Sequence, residues 1–352
     1  MKRLLSTVGA GAALLLTLTA CGSAEGTPTP SASDNAGAAE VTDFDSLVEA
    51  AQAEGSLRVY GQIPEPSLVA FAEAFQEEYG IQVEALRLGG NTLAQRFETE
   101  VQAGTPSADL VIPVDVEFVK TATEAGSLVA FSDTGVLDYL EGFPEEAVYE
   151  EYDTPDLQVM DVGFIYNTDK VKASEIPDSW SELSSPRWSG KFCAVDAGSS
   201  LNTGHFFWKL REEDGEDAVV EFGENVGRWY PNVIAMNEAV AVGECELGVG
   251  SAKFFVEQAK ETGAAVEAAP QPWAIRPLTT AAVATKAQSP NAAKLFLHFI
   301  LSEEGNALMN DPAVGSLGPW DIDKLPGDFT VPSSEEFNAV RAQLDEVVAL
   351  LG

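Results

Sequence analysis

The chain has 352 residues, with 56 Asp and Glu against 20 Lys and Arg, a formal net charge of −36. A surface this acidic repels nucleic acid and anionic lipid, and no Lys/Arg-rich run offsets it, so binding of polyanionic polymers is excluded. With 45% hydrophobic residues over so long a chain, one core does not suffice and two lobes are expected.

The chain opens MKRLLSTVGAGAALLLTLTACGS. Two basic residues, an apolar run and a small-residue end spell a secretory signal over residues 1–20, too short for a stable membrane span. Leu18-Thr19-Ala20-Cys21 resembles the bacterial lipobox, in which Cys21 is lipidated and becomes the new N-terminus. Residues 21–40 are rich in Gly, Ser, Thr, Pro and Ala and cannot bury a core, so they read as a flexible tether.

From Asp45 to Ala53 a helix pattern runs to Gly55, and Ser56 to Tyr60 reads as a strand. Pro66 opens a helix with Leu68, Phe71 and Phe75 on one face, closed by Gly80. Ile81 to Leu88 is a strand; Gly89-Gly90-Asn91-Thr92 turns into a helix ending near Gly104. Ala108 to Val114 is a third strand, and Val116 to Ala125 a helix. This β-α-β-α-β order predicts a parallel sheet covered on both faces. Ligands then sit beyond the strand ends, at Gly61-Gln62, at Gly89 to Thr92 and at Pro113 to Asp115.

The second half repeats the scheme. Lys191 to Asp196 is a strand, Ala197 to Gly204 a polar loop, and a helix follows from His205. Leu247 to Gly250 is a strand and Lys253 to Lys260 a helix. Two α/β lobes with facing loops enclose a cleft. Cys193 and Cys245 form an even pair in an exported chain, which suggests a disulfide; two free buried thiols are the alternative.

Chemistry is sparse. There are two histidines, and the sequence holds no His-Glu-x-x-His, Gly-x-Ser-x-Gly, P-loop or Cys-x-x-Cys motif. His298 lies in the apolar helix Ala292 to Ile300 and reads as packing. No metal, cofactor or catalytic group is singled out, which favours binding over catalysis. A carboxylate-dependent extracellular hydrolase is the alternative of another class.

Three stretches, "DVGFIYNTDKV" (161–171), "PDSWSELSSPRWSGKFCAVDAGSSLNTG" (177–204) and "AAVATKAQSPNAAKLFLHFILSEEG" (281–305), resemble type II solute-binding lipoproteins of bacterial ABC importers. The likeness is to the branch that contains ferric-iron binders. It implies a type II periplasmic-binding-protein fold: lobe 1 from 41–145 and 271–310, lobe 2 from 146–270 and 311–352, with crossings near 145, 270 and 310. It also implies an extracytoplasmic monomer, tethered to the outer face of the cytoplasmic membrane, that hands a solute to a membrane permease. Ferric binders of this branch place two adjacent tyrosines at a strand-to-helix junction resembling 249–255. Here that position holds Phe254-Phe255, and a phenyl ring offers no oxygen to iron. The family's histidine near the first strand is also missing from Tyr60-Gly61-Gln62-Ile63-Pro64.

The expected solute is therefore organic and anion-bearing, with ferric iron held by non-tyrosine ligands as the alternative. The loop Gly198 to Thr203 matches the one that phosphate- or phosphonate-binding relatives use for ligand oxygens. The expected polar contacts are Gln62, Gly90, Asn91, Thr92, Asp115, Ser199, Ser200, Asn202 and Thr203, with Tyr60, Phe255 and Trp273 as walls and Arg276 as a counter-charge. Capping of the following helix by Asn202 or Thr203 is the structural alternative for that loop.

Overall fold

The structure, a computed structural model, describes residues 41–89, 92–105, 107–272, 278–324 and 332–352. The first lobe begins with α1 (Phe44–Glu54), β1 (Ser56–Gly61), α2 (Glu65–Tyr79), β2 (Gln82–Arg87), α3 (Thr92–Ala103), β3 (Leu110–Ile112) and α4 (Val116–Glu124). Gly55 and Gly80 end α1 and α2 in the left-handed region, at φ 76° and 73°, where a side chain would be strained. β1 pairs in parallel with both β2 and β3, as a strand–helix alternation demands.

The chain then passes through β4 (Val148–Tyr149), β5 (Thr154–Pro155) and β6 (Gln158–Met160) into the second lobe. That lobe holds β7 (Val162–Asn167), β8 (Phe192–Val195), α5 (Leu201–Asp214), α6 (Glu216–Asn225), β9 (Val226–Tyr230), α7 (Val233–Ala241), β10 (Leu247–Ala252), α8 (Lys253–Glu261) and β11 (Val266–Ala269). Its sheet runs β11-β7-β10-β8-β9. The chain returns through β12 (Leu278–Thr279) to β13 (Ala282–Val283), which completes the first sheet in the order β13-β3-β1-β2. After α9 (Pro290–Leu301) and α10 (Glu303–Met309), β14 (Ser316–Leu317) leads to the C-terminal helix α11 (Ser334–Leu350).

Helices pack on both faces of each lobe's main sheet, although the edge strand β2 stays largely exposed. In the first lobe Phe71 and Phe75 of α2 meet Phe296 and Phe299 of α9, with Phe75 and Phe296 edge-to-face at 5.0 Å. Leu93, Phe97 and Phe118 of α3 and α4 cover the opposite face. In the second lobe Phe164, Phe192, Phe207 and Phe222 cluster on one side, and Ile165, Met236, Val240 and Val256 on the other. Cys193 of β8 is bonded to Cys245, just ahead of β10, with Cα atoms 6.0 Å apart.

Between the lobes lies a small third sheet, β12-β6-β14, all antiparallel. Its surroundings are buried but polar: the Gln158 amide donates to Ser316 Oγ at 2.7 Å, Asn310 donates to the Leu157 carbonyl at 3.0 Å, and the Thr154 and Thr280 hydroxyls bond. Among the described residues no helix is long and apolar enough to cross a membrane.

Candidate functional site

The loops at the strand ends of the two lobes meet at one residue, Val114. The Val114 N–H donates to Gln62 Oε1 at 2.6 Å, tying the loop after β1 to the loop after β3. The Val114 carbonyl accepts from Asn202 Nδ2 at 3.2 Å, and Asn202 belongs to the first turn of α5 in the other lobe. The Gln62 N–H is itself anchored on the Ile112 carbonyl at 2.9 Å. Gln62 and Asn202 thus meet across the lobe boundary through one backbone unit.

The α5 N-terminus corrects two expectations. The helix starts at Leu201, not His205, because Ser200 adopts an extended conformation (φ −159°, ψ 160°) and accepts from the Thr203 N–H at 3.2 Å. Ser200 is therefore the cap, not Asn202 or Thr203; Asn202 points away to Val114. The Ser200 and Thr203 hydroxyls lie 2.9 Å apart, and Ser199 Oγ donates to Thr203 Oγ1 at 3.3 Å. Three half-buried hydroxyls thus cluster at the positive end of a fourteen-residue helix, an arrangement suited to the oxygens of an anion.

On the first lobe Asp115 caps α4, its carboxylate accepting from the Phe118 N–H at 3.1 Å. Burial raises its pKa above the usual carboxylate range, against the opposing pull of that hydrogen bond. Thr92 is exposed at the start of α3, its N–H on the Gly89 carbonyl at 3.2 Å. Gly90, Asn91, Trp273, Arg276 and Cys21 lie outside the described residues.

Tyr60 requires a correction. It is 1% exposed, under α3, with its hydroxyl 3.0 Å from the Glu100 carboxylate and the Arg96 guanidinium 4.9 Å from its ring. Side chains alternate along a strand, and this face of β1 is covered by helices, so Tyr60 packs inside the lobe and does not line the cleft. Burial pushes its phenol pKa up, with the neighbouring Glu100 adding to the shift.

Phe254 and Phe255 open α8, half-buried, their rings edge-to-face at 5.5 Å, while the next residue, Val256, enters the core. Among the described residues no group of three His, Cys, Asp or Glu could hold a metal ion. Two surface depressions of the second lobe, one beside Trp180 and Glu221 and one beside the disulfide, lie apart from these loops.

One residue was overlooked in the sequence. Arg87 ends β2 opposite Gly61, and its Nε donates to the Ile63 carbonyl at 3.2 Å, which sets a cation on the loop after β1. Among the described residues Arg87 makes no ion pair with a carboxylate. Its only sequence signal is its place just ahead of Gly89-Gly90.

A known protein of Haemophilus influenzae, uncharacterized, is 27% identical over 267 residues, 73% of this chain and 76% of that one. Among solved structures, iron-bound HitA from Pseudomonas aeruginosa is 23% identical with a TM-score of 0.64, matching 84% of this chain and 98% of HitA. AfuA from Actinobacillus pleuropneumoniae, with exogenous fructose-6-phosphate bound, is 22% identical with a TM-score of 0.67, matching 83% of this chain and 98% of AfuA. Identities this low speak for the two-lobed fold and not for a ligand. The family model described as bacterial extracellular solute-binding protein matches residues 61–307, and on that match, over most of its length, the chain belongs to the bacterial extracellular solute-binding proteins.

Proposed function

We propose that the protein is the receptor of an ABC importer for a small organic solute bearing a phosphate, phosphonate or carboxylate. The observation that carries this reading is the hydroxyl cluster of Ser199, Ser200 and Thr203 at the start of α5, brought against the first lobe by the Asn202–Val114 bond. Neutral donors at a helix N-terminus favour an anion, and Arg87 supplies a cation on the opposing lobe. The fructose-6-phosphate bound to AfuA is consistent with this chemistry. The phenyl rings of Phe254 and Phe255, at the junction where ferric binders of this branch carry tyrosines, offer an apolar surface for an organic body.

The sheet β12-β6-β14 serves as the hinge, the chain passing between the lobes through β6 and again through β12. Closure on the solute involves no covalent step: a ligand touching both lobes stabilises the closed form by its differential contacts. Cys21 carries the lipid that holds the receptor near its permease.

Thermal shifts against fructose 6-phosphate, inorganic phosphate, citrate, ferric citrate and spermidine test the reading. A ligand at about a thousand times its Kd adds roughly 4 kcal/mol of stability, a readily visible shift. Stabilisation by phosphorylated or carboxylated organic solutes is expected. Stabilisation by ferric citrate without citrate alone, or by spermidine alone, would overturn it.

A further inference from the structure

The C-terminal helix belongs by packing to the second lobe. Val340 and Leu344 of α11 press so closely on α5 that a Cβ at Gly204 would come within 2.7 Å of Leu344 Cδ1. Arg211 of α5 bonds Gln343 in the same seam. Yet the first turns of α11 are bonded to the first lobe. Ser334 Oγ donates to Glu117 Oε2 of α4 at 3.0 Å and accepts from Lys120 Nζ at 2.7 Å. Arg341 Nη1 donates to Glu117 Oε1 at 3.2 Å, and the Ser334 N–H donates to Glu151 at 2.9 Å. The Tyr152 hydroxyl reaches the Pro332 carbonyl at 2.5 Å. Beneath these bonds Phe337 shares an apolar cluster with Val116 of α4, Tyr152, and Val159 and Leu278 of the hinge sheet.

The exposures of the ion pair are unequal: the Glu117 side chain is 5% exposed and that of Arg341 42%. A carboxylate withdrawn from water depends on its donors, whereas a guanidinium at the surface does not, so the cost of parting them falls on Glu117. None of these residues belongs to the strand-end loops where the solute is proposed to sit.

We propose that α11 is an interlobe clasp, with Glu117 as its catch, that holds the lobes together independently of the solute and so sets the receptor's open–closed balance. Solute affinity is then scaled by the fraction of molecules already closed. The inference rests on hinge closure but not on the identity of the solute, and its test uses none.

The experiment is hydrogen–deuterium exchange on the full chain without ligand, comparing the native protein with Arg341→Met and Glu117→Gln. If the clasp holds the lobes, peptides covering 113–120 and 199–205 exchange roughly tenfold faster in both variants, because the lobe boundary opens more often. Peptides within the lobe sheets, 56–61 and 192–195, keep their native rates. Acceleration confined to α11 would mean that the helix end merely docks, and unchanged rates throughout would mean that the contacts carry no weight; either result overturns the proposal. Should Glu117→Gln fail to fold, Arg341→Met, altered at a partly exposed position, decides alone together with Ser334→Ala.

Discussion

The lobe interiors and the hinge between them are built on opposite principles. The interiors are apolar and aromatic, with Phe71, Phe75, Phe296 and Phe299 in the first lobe and Phe164, Phe192, Phe207 and Phe222 in the second. The hinge is equally buried but mixed: beside the apolar Val159, Leu278 and Leu317 it buries the polar Thr154, Asp156, Gln158, Thr280 and Ser316. Close-packed rings resist deformation within each lobe, whereas directional bonds between two- and three-residue strands are the ones that the proposed hinge closure would exchange. On that proposal, stability resides in the lobes and mobility in the seam.

The contrast is broken most severely from the apolar side. Phe296→Ala empties the contact of Phe296 with Phe71, Phe75 and Phe299, and a loss of about 3–5 kcal/mol is expected by chemical denaturation. A loss below about 1 kcal/mol would mean that α9 does not carry the first core. Next in size is the staple of the second lobe. Replacing Cys193 and Cys245 together by Ser frees a connection between residues 52 positions apart and is expected to cost about 2–4 kcal/mol. An unchanged denaturation midpoint for the double variant would contradict that.

The seam responds more weakly and with the opposite sign. Asp156 is fully buried, and burial raises its pKa well above the ordinary 3.8. Its contribution to stability is present in full below the unfolded value and is lost as pH rises through the folded one, since the folded state keeps a proton that the unfolded chain releases. Asp156→Asn abolishes that titration. The variant is expected to gain on the native protein as pH rises from 4 to 7, by about 1–3 kcal/mol at the top. A stability difference that stays flat across this range would remove Asp156 from the account.

The lobes were far more legible in the sequence than the seam. β1, α2 and β2 declare themselves within some thirty residues, because the apolar spacing of Leu68, Phe71 and Phe75 and the stops at Gly55 and Gly80 are local signals. β6, β12 and β14 are two or three residues long, too short for any period, and Gln158 finds Ser316 across 158 positions. The site shows the same division. Hydroxyls before a helix mark Ser199 to Thr203 as a loop of interest, but which of them caps depends on the backbone of Ser200. Tyr60 was misread because strand alternation tells which residues share a face, not which face a helix covers. The meeting of Glu117 with Arg341, 224 residues apart, leaves no trace in local pattern.

The central claim is that the strand-end loops of both lobes hold an anion-bearing solute. Calorimetric titration of the phosphorylated or carboxylated solute that most stabilises the native chain in the thermal-shift series, into the native chain and into the double variant Ser199→Ala/Asn202→Ala, addresses it directly. The account predicts saturable binding at one solute per chain, with an affinity at least about tenfold lower in the double variant, as loss of hydrogen bonds to a charged group entails, and a melting temperature without ligand that barely moves. Equal affinity in the two proteins, or no heat of binding in either, would contradict it.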